Sequence, residues 1–171
     1  NSTDFQQTFY AVESLKELPI IKINNASNSN AFYQTFYNNL SLTSITLSGM
    51  NQGPSNGEYF RMFYNCYSLQ YIEGVDFSYA NDAGDYNQIF NNCRNINYIK
   101  FPGGATDETG FKYSVSLRYC PLNRDAMLEI FNHLVTITHS ATLTLTNNSY
   151  TADLTDADKL IATNKGWTLS I

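Results

Sequence analysis

Cysteines at a fixed interval are the residues of this 171-residue sequence that most suggest chemistry. Cys66, Cys93 and Cys120 are each 27 residues apart, a spacing that suggests a metal or redox site. A zinc site needs four converging ligands, usually with cysteine pairs two to four residues apart. Equivalent positions in stacked helices would instead form a line with steps of about 8–10 Å, beyond the roughly 7 Å that a disulfide spans. We therefore predict buried free thiols that fill a small slot in the core.

The other residues capable of catalysis form no recognisable site. His133 and His139 have no third ligand nearby, and the sequence contains no nucleophile-elbow motif. Asp153, Asp156 and Asp158 lack the EF-hand spacing and glycine, and a helix N-terminus, whose dipole favours acids, explains them. PGGATDETG lacks the Lys-Ser/Thr ending of a phosphate loop, and nothing identifies the facing carboxylates of a glycosidase. We predict no catalytic residue, no metal site and no cofactor.

Composition excludes two classes of partner. Only 15% of the residues are charged, against about 25% in a typical globular protein, and the net charge is −5. Nucleic-acid binding requires a positive patch that displaces counterions, which ten scattered Lys and Arg do not form. No apolar run approaches the roughly 20 residues that span a bilayer. We predict neither nucleic-acid binding nor membrane insertion.

Four series of apolar residues recur every 27 positions. They are Phe5, Phe32, Tyr59, Tyr86 and Tyr113; Phe9, Phe36, Phe63, Phe90 and Leu117; Leu15, Leu42, Leu69 and Ile96; and Leu18, Ile45, Ile72 and Ile99. Four series in phase indicate a repeat protein. We call the stretches that begin at residues 5, 32, 59, 86 and 113 the first to fifth units.

Each unit has an aromatic half and an alternating half. Tyr59, Phe63 and Cys66 have the i, i+4, i+7 spacing of one helix face, so each aromatic segment (5–12, 32–39, 59–66 and 86–93) is predicted to be a short helix. Ile45 and Leu47 alternate as in a strand. Turn-rich segments at 51–57, 78–85 and 102–110 join the units. Stacked units of this kind predict an α/β solenoid with a parallel sheet on one side and helices on the other.

The repeats resemble a known family. AFYQTFYNNLSLTSITL (31–47), YFRMFYNCYSLQYIEGVDF (59–77) and YNQIFNNCRNINYIKF (86–101) are similar to BspA-like, treponemal-type leucine-rich repeats, in which Phe, Cys or Asn, Leu and Ile recur in register. The resemblance covers about residues 5–101. It implies a right-handed solenoid with a concave parallel sheet and convex short helices. It also implies an exported bacterial surface protein that mediates adhesion, or part of a phage-encoded host-contact protein.

Some residues depart from that pattern. The unit is longer than the usual 23 or so residues of the family, which implies larger turns. Gly74 stands where Leu47 and Phe101 stand in other units, so we expect a bulge or a slipped register there. Val12 replaces the cysteine of the first unit. Pro19 lies within the first predicted strand, which should be an edge strand because proline lacks the ladder donor.

The repeat weakens after Phe101, so we divide the chain at residues 1–112 and 113–171. Strands are predicted at 112–119, 141–148 and 167–171, and helices at 123–134 and 154–166. Thr155 or Asp156 could cap the second helix, and Gly166 fits its left-handed end. The T-N-K-G-W-T ending resembles modules that follow such repeats in gut-bacterial and phage proteins. This part is predicted to cap the same solenoid.

Aromatic side chains divide into a core set and an outward set. Phe36, Phe63 and Phe90 are predicted to be core. Tyr10, Tyr37 and Tyr64 form a column on the predicted helix side, where we expect them to pack between units.

Nothing covers the apolar residues of the first unit, so we expect the native protein to continue upstream or this end to contact a partner.

Residues on the outer, concave side of the predicted sheet form two columns, which we call the tyrosine face. One column is Glu17, Ser44, Tyr71 and Tyr98, and the next is Pro19, Thr46, Glu73 and Lys100. Tyrosine provides large contact area at low entropy cost. We therefore predict that these residues, except Pro19, bind a protein or glycan on a cell surface. An ordinary polar sheet surface is the alternative reading of the face, and a structural or assembly segment of a larger fibre is the alternative function.

Overall fold

A computed structural model describes residues 5–23, 32–48, 59–80, 83–86, 88–104 and 107–171. The turn-rich segment predicted at 51–57 lies outside these residues. Described strands form two parallel sheets. The first sheet has the order β1 (Ile21–Lys22), β2 (Ser44–Ser48), β3 (Tyr71–Glu73) and β4 (Tyr98–Lys100); the second has β5 (Val115–Ser116), β6 (Ala141–Thr144) and β7 (Trp167–Ser170). Two α-helices, α1 (Arg124–His133) and α2 (Asp156–Thr163), complete a mixed α/β fold.

From β2 to β4, the register of the first sheet follows the 27-residue period, whereas β1 pairs with residues 26 positions later. Ile45 pairs with Ile72, and Ile72 pairs with Ile99. All three side chains are buried, because alternate residues of a strand share one face. The strand prediction is therefore confirmed for the second, third and fourth units. In the first unit the strand begins only at Ile21, after the predicted segment that contains Pro19. The buried cluster extends from Ile23 to Trp167 and includes residues of both sheets and both helices.

The predicted helices of the aromatic segments are wrong. These segments are series of tight turns, in which a residue with positive φ recurs without any glycine. In the second and third units the pairs are Gln34 (φ 52°) with Asn38 (φ 59°), and Arg61 (φ 52°) with Asn65 (φ 61°). Each of these four residues is the third residue of a four-residue turn. A hydrogen bond from the amide of the fourth residue to the carbonyl of the first closes the turn, as from Met62 N to Tyr59 O at 3.0 Å.

Hydrogen bonds between units explain why turns replace helices. The amides of Gln34, Phe36 and Asn38 donate to carbonyls 26 residues later, at 2.9–3.0 Å. Alternate backbone groups thus point to the next unit, as in a parallel ladder. A helix would direct these amides to its own carbonyls, so the i, i+4, i+7 pattern of inward side chains arises here from consecutive turns.

Because the units are joined by backbone bonds, they stack more closely than helices could. The Phe36 and Phe63 ring centroids are 5.4 Å apart with 4° between planes, and Phe63 and Phe90 are 5.8 Å apart. The predicted helix spacing of about 8–10 Å is therefore wrong. Tyr10, Tyr37 and Tyr64 stack at 4.9 Å, as predicted for packing between units, although Tyr10 remains 44% exposed.

The cysteines are free and buried, as predicted, but they are also hydrogen-bond donors. Cys66 Sγ donates to Phe36 O at 3.0 Å, and Cys93 Sγ donates to Phe63 O at 2.8 Å. Asn39 has the same position one unit earlier, and its Nδ2 donates to Phe9 O at 2.7 Å. In the second to fourth units the slot thus holds a small residue with a donor, which is asparagine once and cysteine twice. Only the small size of the slot was predicted from the sequence.

Native protein at pH 8 is expected to resist Ellman's reagent. Burial raises the pKa of Cys93 well above its ordinary value and raises the pKa of Cys120 to about 12, so almost no reactive thiolate forms at either residue. Urea-unfolded protein should release three equivalents of the chromophore, since the chain has three cysteines. Rapid labelling of folded protein would contradict the buried arrangement.

The secondary structure changes at the fifth unit. The first sheet ends at β4, and α1 packs against it in the place where the period would put another strand. On the other side of the units, β5 occurs where the period would put another aromatic segment. After the fourth unit, helices therefore follow the sheet on one side of the stack, and strands follow the aromatic turn segments on the other side. Strand β1 lies at the edge of the described sheet, but it does not contain Pro19, which was predicted to lie within it.

Local predictions for the C-terminal part are largely confirmed. Both predicted helices are present, and Asn123 Oδ1 caps α1 by accepting from Ala126 N. Thr155, rather than Asp156, caps α2 in a reciprocal capping box with Asp158. Gly166 has φ 89°, as expected for a left-handed end. The strands predicted at 112–119 and 141–148 are shorter than predicted, since β5 covers only Val115–Ser116 and β6 only Ala141–Thr144.

Gly74 ends β3 without a bulge or a slipped register. Tyr71 to Glu73 pair in register with Tyr98 to Lys100, and Gly74 N donates to Lys100 O at 2.9 Å. The glycine has φ 80° and lies against the backbone of Leu47. Its role is therefore a tight exit from the strand, and the expectation of a slipped register was wrong.

Candidate binding surface

The first sheet places the predicted tyrosine face as two neighbouring columns. Glu17 bridges to Ser44, which pairs with Tyr71, which pairs with Tyr98. In the second column, Thr46 pairs with Glu73, which pairs with Lys100. Glu17 and Lys100 are exposed, and the other five side chains are partly exposed. The seven predicted binding residues thus form two columns, and the alternation of the strands directs them away from the buried isoleucines. Pro19, which was predicted to begin the second column, does not pair with Thr46, because β1 is one residue off the period.

Tyr71 and Tyr98 form a stacked pair at the centre of the face. Their ring centroids are 6.1 Å apart with 18° between the planes. Burial is the first cause that raises the pKa of each phenol, so both remain neutral donors at physiological pH. The pair therefore offers adjacent aromatic surface and two hydroxyl groups.

An ion pair holds Glu73 beside these rings. Lys100 Nζ lies 2.7 Å from Glu73 Oε1, and Tyr71 Oη donates to Glu73 Oε2 at 3.1 Å. The Lys100 hydrogen bond lowers the pKa of Glu73, and the same bond raises the pKa of Lys100. Both groups are charged at neutral pH. Since the pair is substantially exposed, we assign it a positioning role rather than a large contribution to stability.

Two acids of α1, Asp125 and Glu129, lie next to the tyrosine face, and neither was predicted from the sequence to do so. Glu129 and Asp125 contribute, after burial, to the raised pKa of Tyr98. Glu129 Oε1 also accepts from Phe101 N at 3.3 Å. The period could have located Asp125, because it lies 27 residues after Tyr98. The α1 end of the face is therefore acidic.

A shallow depression of about 430 Å³ extends the second column. Its lining includes Thr46, Glu73 and Lys100 together with Ile20, Pro102 and Gly103. Ile20 is 63% exposed, an apolar residue that the sequence analysis did not assign to the face. Aromatic, apolar and polar groups thus lie side by side, a combination suited to binding a ligand without reacting with it.

The groups first considered for chemistry have structural partners. His133 Nδ1 lies 2.8 Å from Asp107 O, and its ring stacks on Phe101 at 5.1 Å. His139 Nε2 lies 2.9 Å from Lys112 O. Across the part of the chain that the structure describes, no group of three or more His, Cys, Asp or Glu is arranged to hold a metal ion.

Asp158 joins the two helices rather than forming a metal site. Its carboxylate accepts from Arg124 Nε at 2.9 Å and Arg124 Nη2 at 2.7 Å, and from Thr155 N at 2.9 Å. The Arg124 hydrogen bonds hold the pKa of Asp158 well below its ordinary value. This acid of the predicted helix N-terminus thus acts as a cap and an ion-pair partner.

In comparisons with known proteins, the chain matches no protein-family model, no curated protein and no solved structure. Within the described ranges, no helix is long and apolar enough to cross a membrane. The function of the chain is therefore inferred from its own geometry.

Proposed function

We propose that this chain is a right-handed leucine-rich-repeat solenoid that acts as a non-enzymatic binding module of an exported bacterial or phage-encoded surface protein. The observation that carries the proposal is the stacked Tyr71–Tyr98 pair beside the Glu73–Lys100 ion pair. The repeat resemblance supports a solenoid of the BspA-like type, whose members work at cell surfaces. The ligand would be a protein or a glycan that contacts the concave sheet.

Ring stacking supports a glycan or peptide ligand in particular. The stacked tyrosine rings can pack against the C–H groups of a sugar or against a peptide side chain. The two hydroxyl groups can donate or accept hydrogen bonds, and the Glu73 carboxylate can accept them. The ion pair fixes Glu73, so little side-chain entropy is lost when a ligand binds. The expected location is extracellular, on a bacterial surface or a phage particle.

Tyr71→Ala with Tyr98→Ala is expected to weaken binding by at least about tenfold. The measurement is an array of glycans and extracellular-matrix proteins probed with the purified chain, followed by titration of the strongest ligand. Tyr10→Ala with Tyr37→Ala is the matched control, because it removes a stacked tyrosine pair from the aromatic segments. Equal binding by the wild type and the Tyr71/Tyr98 double variant would show that the tyrosine face is not the site.

A structural role in a larger fibre is the second candidate. Phe5 and Phe9 of the first unit are only partly buried, whereas their counterparts Phe32 and Phe36 are 1% exposed. Under this alternative, the partly exposed rings of the first unit would form the assembly contact. An array without ligands, together with self-association that Phe5→Ser and Phe9→Ser abolish, would favour this alternative.

A further inference from the structure

The ladder between aromatic segments stops after the fourth unit. In the third unit, Phe63 N donates to Ile89 O at 3.1 Å and Asn65 N donates to Asn91 O at 2.9 Å. One period later, the same bonds would run from Phe90 N to Ser116 O and from Asn92 N to Arg118 O. Neither bond occurs among the backbone hydrogen bonds of the described residues. The fourth and fifth units therefore separate here.

A cavity of about 480 Å³ occupies this separation, which we call the junction groove. It lies between residues 88–94 and residues 116–119. A second cavity of about 460 Å³ adjoins it, with Gln88 and Ser116 in both linings. Beyond the groove the units remain in contact, since Cys120 Sγ donates to Cys93 O at 3.1 Å and Lys112 N donates to Tyr86 Oη at 3.3 Å. These contacts fix the walls on both sides of the opening.

One wall of the groove is an edge strand. Among the described strands, β5 pairs with β6 alone, and Leu117 N and Tyr119 N donate to Thr144 O and Thr146 O on that side. Because backbone groups alternate along a strand, Ser116 directs its amide and carbonyl towards the groove. An edge of this kind is a template for an added strand.

The same groove is positively charged in a chain of net charge −5. Arg94 and Arg118 both line it, and no acidic residue is among its described lining residues. Their Cζ atoms lie 5.0 Å and 4.8 Å from the ring centroid of Tyr119. Neither guanidinium has a carboxylate within ion-pair distance among the described residues. The side-chain oxygen of Asn147 accepts from Arg118 Nε at 3.1 Å and Nη2 at 3.3 Å, a neutral partner that leaves the charge uncompensated. Two uncompensated guanidinium groups in one groove suit a carboxylate.

We propose that the junction groove binds an extended peptide segment of a partner protein, which pairs with the edge of β5 and places a carboxylate beside Arg94 and Arg118. The carboxylate is an Asp or Glu side chain or a C-terminus. Backbone pairing supplies affinity, and the two arginines supply selectivity. This site is separate from the tyrosine face and does not depend on the function proposed for it.

An acidic glycan could also pair with the two arginines, but a peptide can pair with the backbone donors and acceptors of the groove as well. Ser116 offers a donor and an acceptor on one edge, and this pair matches the alternating groups of an extended backbone. Across the groove, the amides of Phe90 and Asn92 lie where the preceding units make their inter-unit bonds. A sugar chain has no regular series of amide donors and acceptors to pair with such edges.

The test starts from a phage-displayed library of random linear 12-residue peptides, selected on the wild-type chain. We expect enriched peptides to share one acidic position. A synthetic copy of the best peptide is then titrated by fluorescence anisotropy, with its acid replaced by lysine and with its C-terminus free or amidated. Loss of binding on the lysine exchange identifies a side-chain carboxylate, and loss on amidation identifies a C-terminal carboxylate.

Two sets of variants separate charge from strand pairing. Arg94→Gln with Arg118→Gln should weaken the peptide at least about tenfold, whereas Lys16→Gln with Lys22→Gln, which removes the same charge elsewhere, should not. Ser116→Pro removes the outward amide of β5 and should also weaken the peptide about tenfold, whereas Ser116→Ala keeps that amide and should bind normally. Tyr71→Ala with Tyr98→Ala should leave the affinity unchanged.

Amide hydrogen exchange gives a readout that needs no variant. Bound peptide should slow exchange at Ser116, and it should not do so in the tyrosine face. The proposal is overturned if no peptide is enriched, or if enriched peptides bind both arginine variants equally. It is also overturned if Ser116→Pro and the exchange rates are unaffected, or if acidic glycans bind through Arg94 and Arg118 while peptides do not.

Discussion

Phe63→Ala is expected to destabilise the protein by about 3–5 kcal/mol, the range for a fully buried phenylalanine replaced by alanine. Phe63 is 0% exposed and stacks on Phe36 at 5.4 Å and on Phe90 at 5.8 Å. The change removes two ring contacts and leaves a cavity in the middle of the column. Because stacked units cannot close independently over that cavity, little of the loss is recovered by relaxation.

Phe9→Ala is the matched control for this prediction. Phe9 occupies the same position in the first unit, but it is only partly buried and stacks on Phe36 alone. Its replacement should cost less than half as much. The free energy of unfolding from urea denaturation measures both changes. Equal losses for the two variants would mean that the column does not act as a continuous core.

Gly74→Ala is expected to cost at least about 3 kcal/mol, since a left-handed backbone alone costs of order 1–3 kcal/mol in a residue with a Cβ. Gly74 has φ 80°, and a Cβ built on it would lie 1.9 Å from the carbonyl oxygen of Leu47. That oxygen belongs to β2 and cannot move without disturbing the sheet. The variant should therefore also perturb Thr46 and Glu73 in the tyrosine face.

Gly104→Ala provides the comparison. Its φ lies outside the left-handed region, and the nearest neighbour of an added Cβ would be Asp107 Oδ2 at 3.8 Å. The expected change is within about 0.5 kcal/mol. Thermal unfolding followed by circular dichroism distinguishes the two variants. A Gly74→Ala protein as stable as the wild type would show that the exit from β3 is not constrained as described.

Much of the strand side could be predicted from the sequence. Isoleucines at a constant interval are sufficient to place Ile45, Ile72 and Ile99 on one buried face, because a one-residue slip would expose all of them. The register then follows, and with it the columns that contain Tyr71 and Tyr98. Caps at Asn123 and Thr155 are similarly local, because their side chains bond amides three residues away.

The turn side could not be predicted in the same way. The inward positions of the aromatic segments fit a helix and a series of turns equally well, and Gln34, Arg61 and Gln88 adopt positive φ without the glycine that usually signals it. The junction groove was also missed, since no residue near Ser116 differs in type from an ordinary strand sequence.

The sequence alone determined the period and the register of β2, β3 and β4, because these depend on the hydrophobic pattern, and it determined the helix caps, because these depend on short-range bonds. The tertiary structure decided how the aromatic segments are folded, where α1 replaces a strand and where the fourth and fifth units separate. Those outcomes depend on backbone hydrogen bonds between residues about 26 positions apart. Every non-proline residue carries the amide and the carbonyl that make such bonds. The pattern of side chains therefore does not reveal whether the carbonyls of the next unit accept hydrogen bonds from these amides.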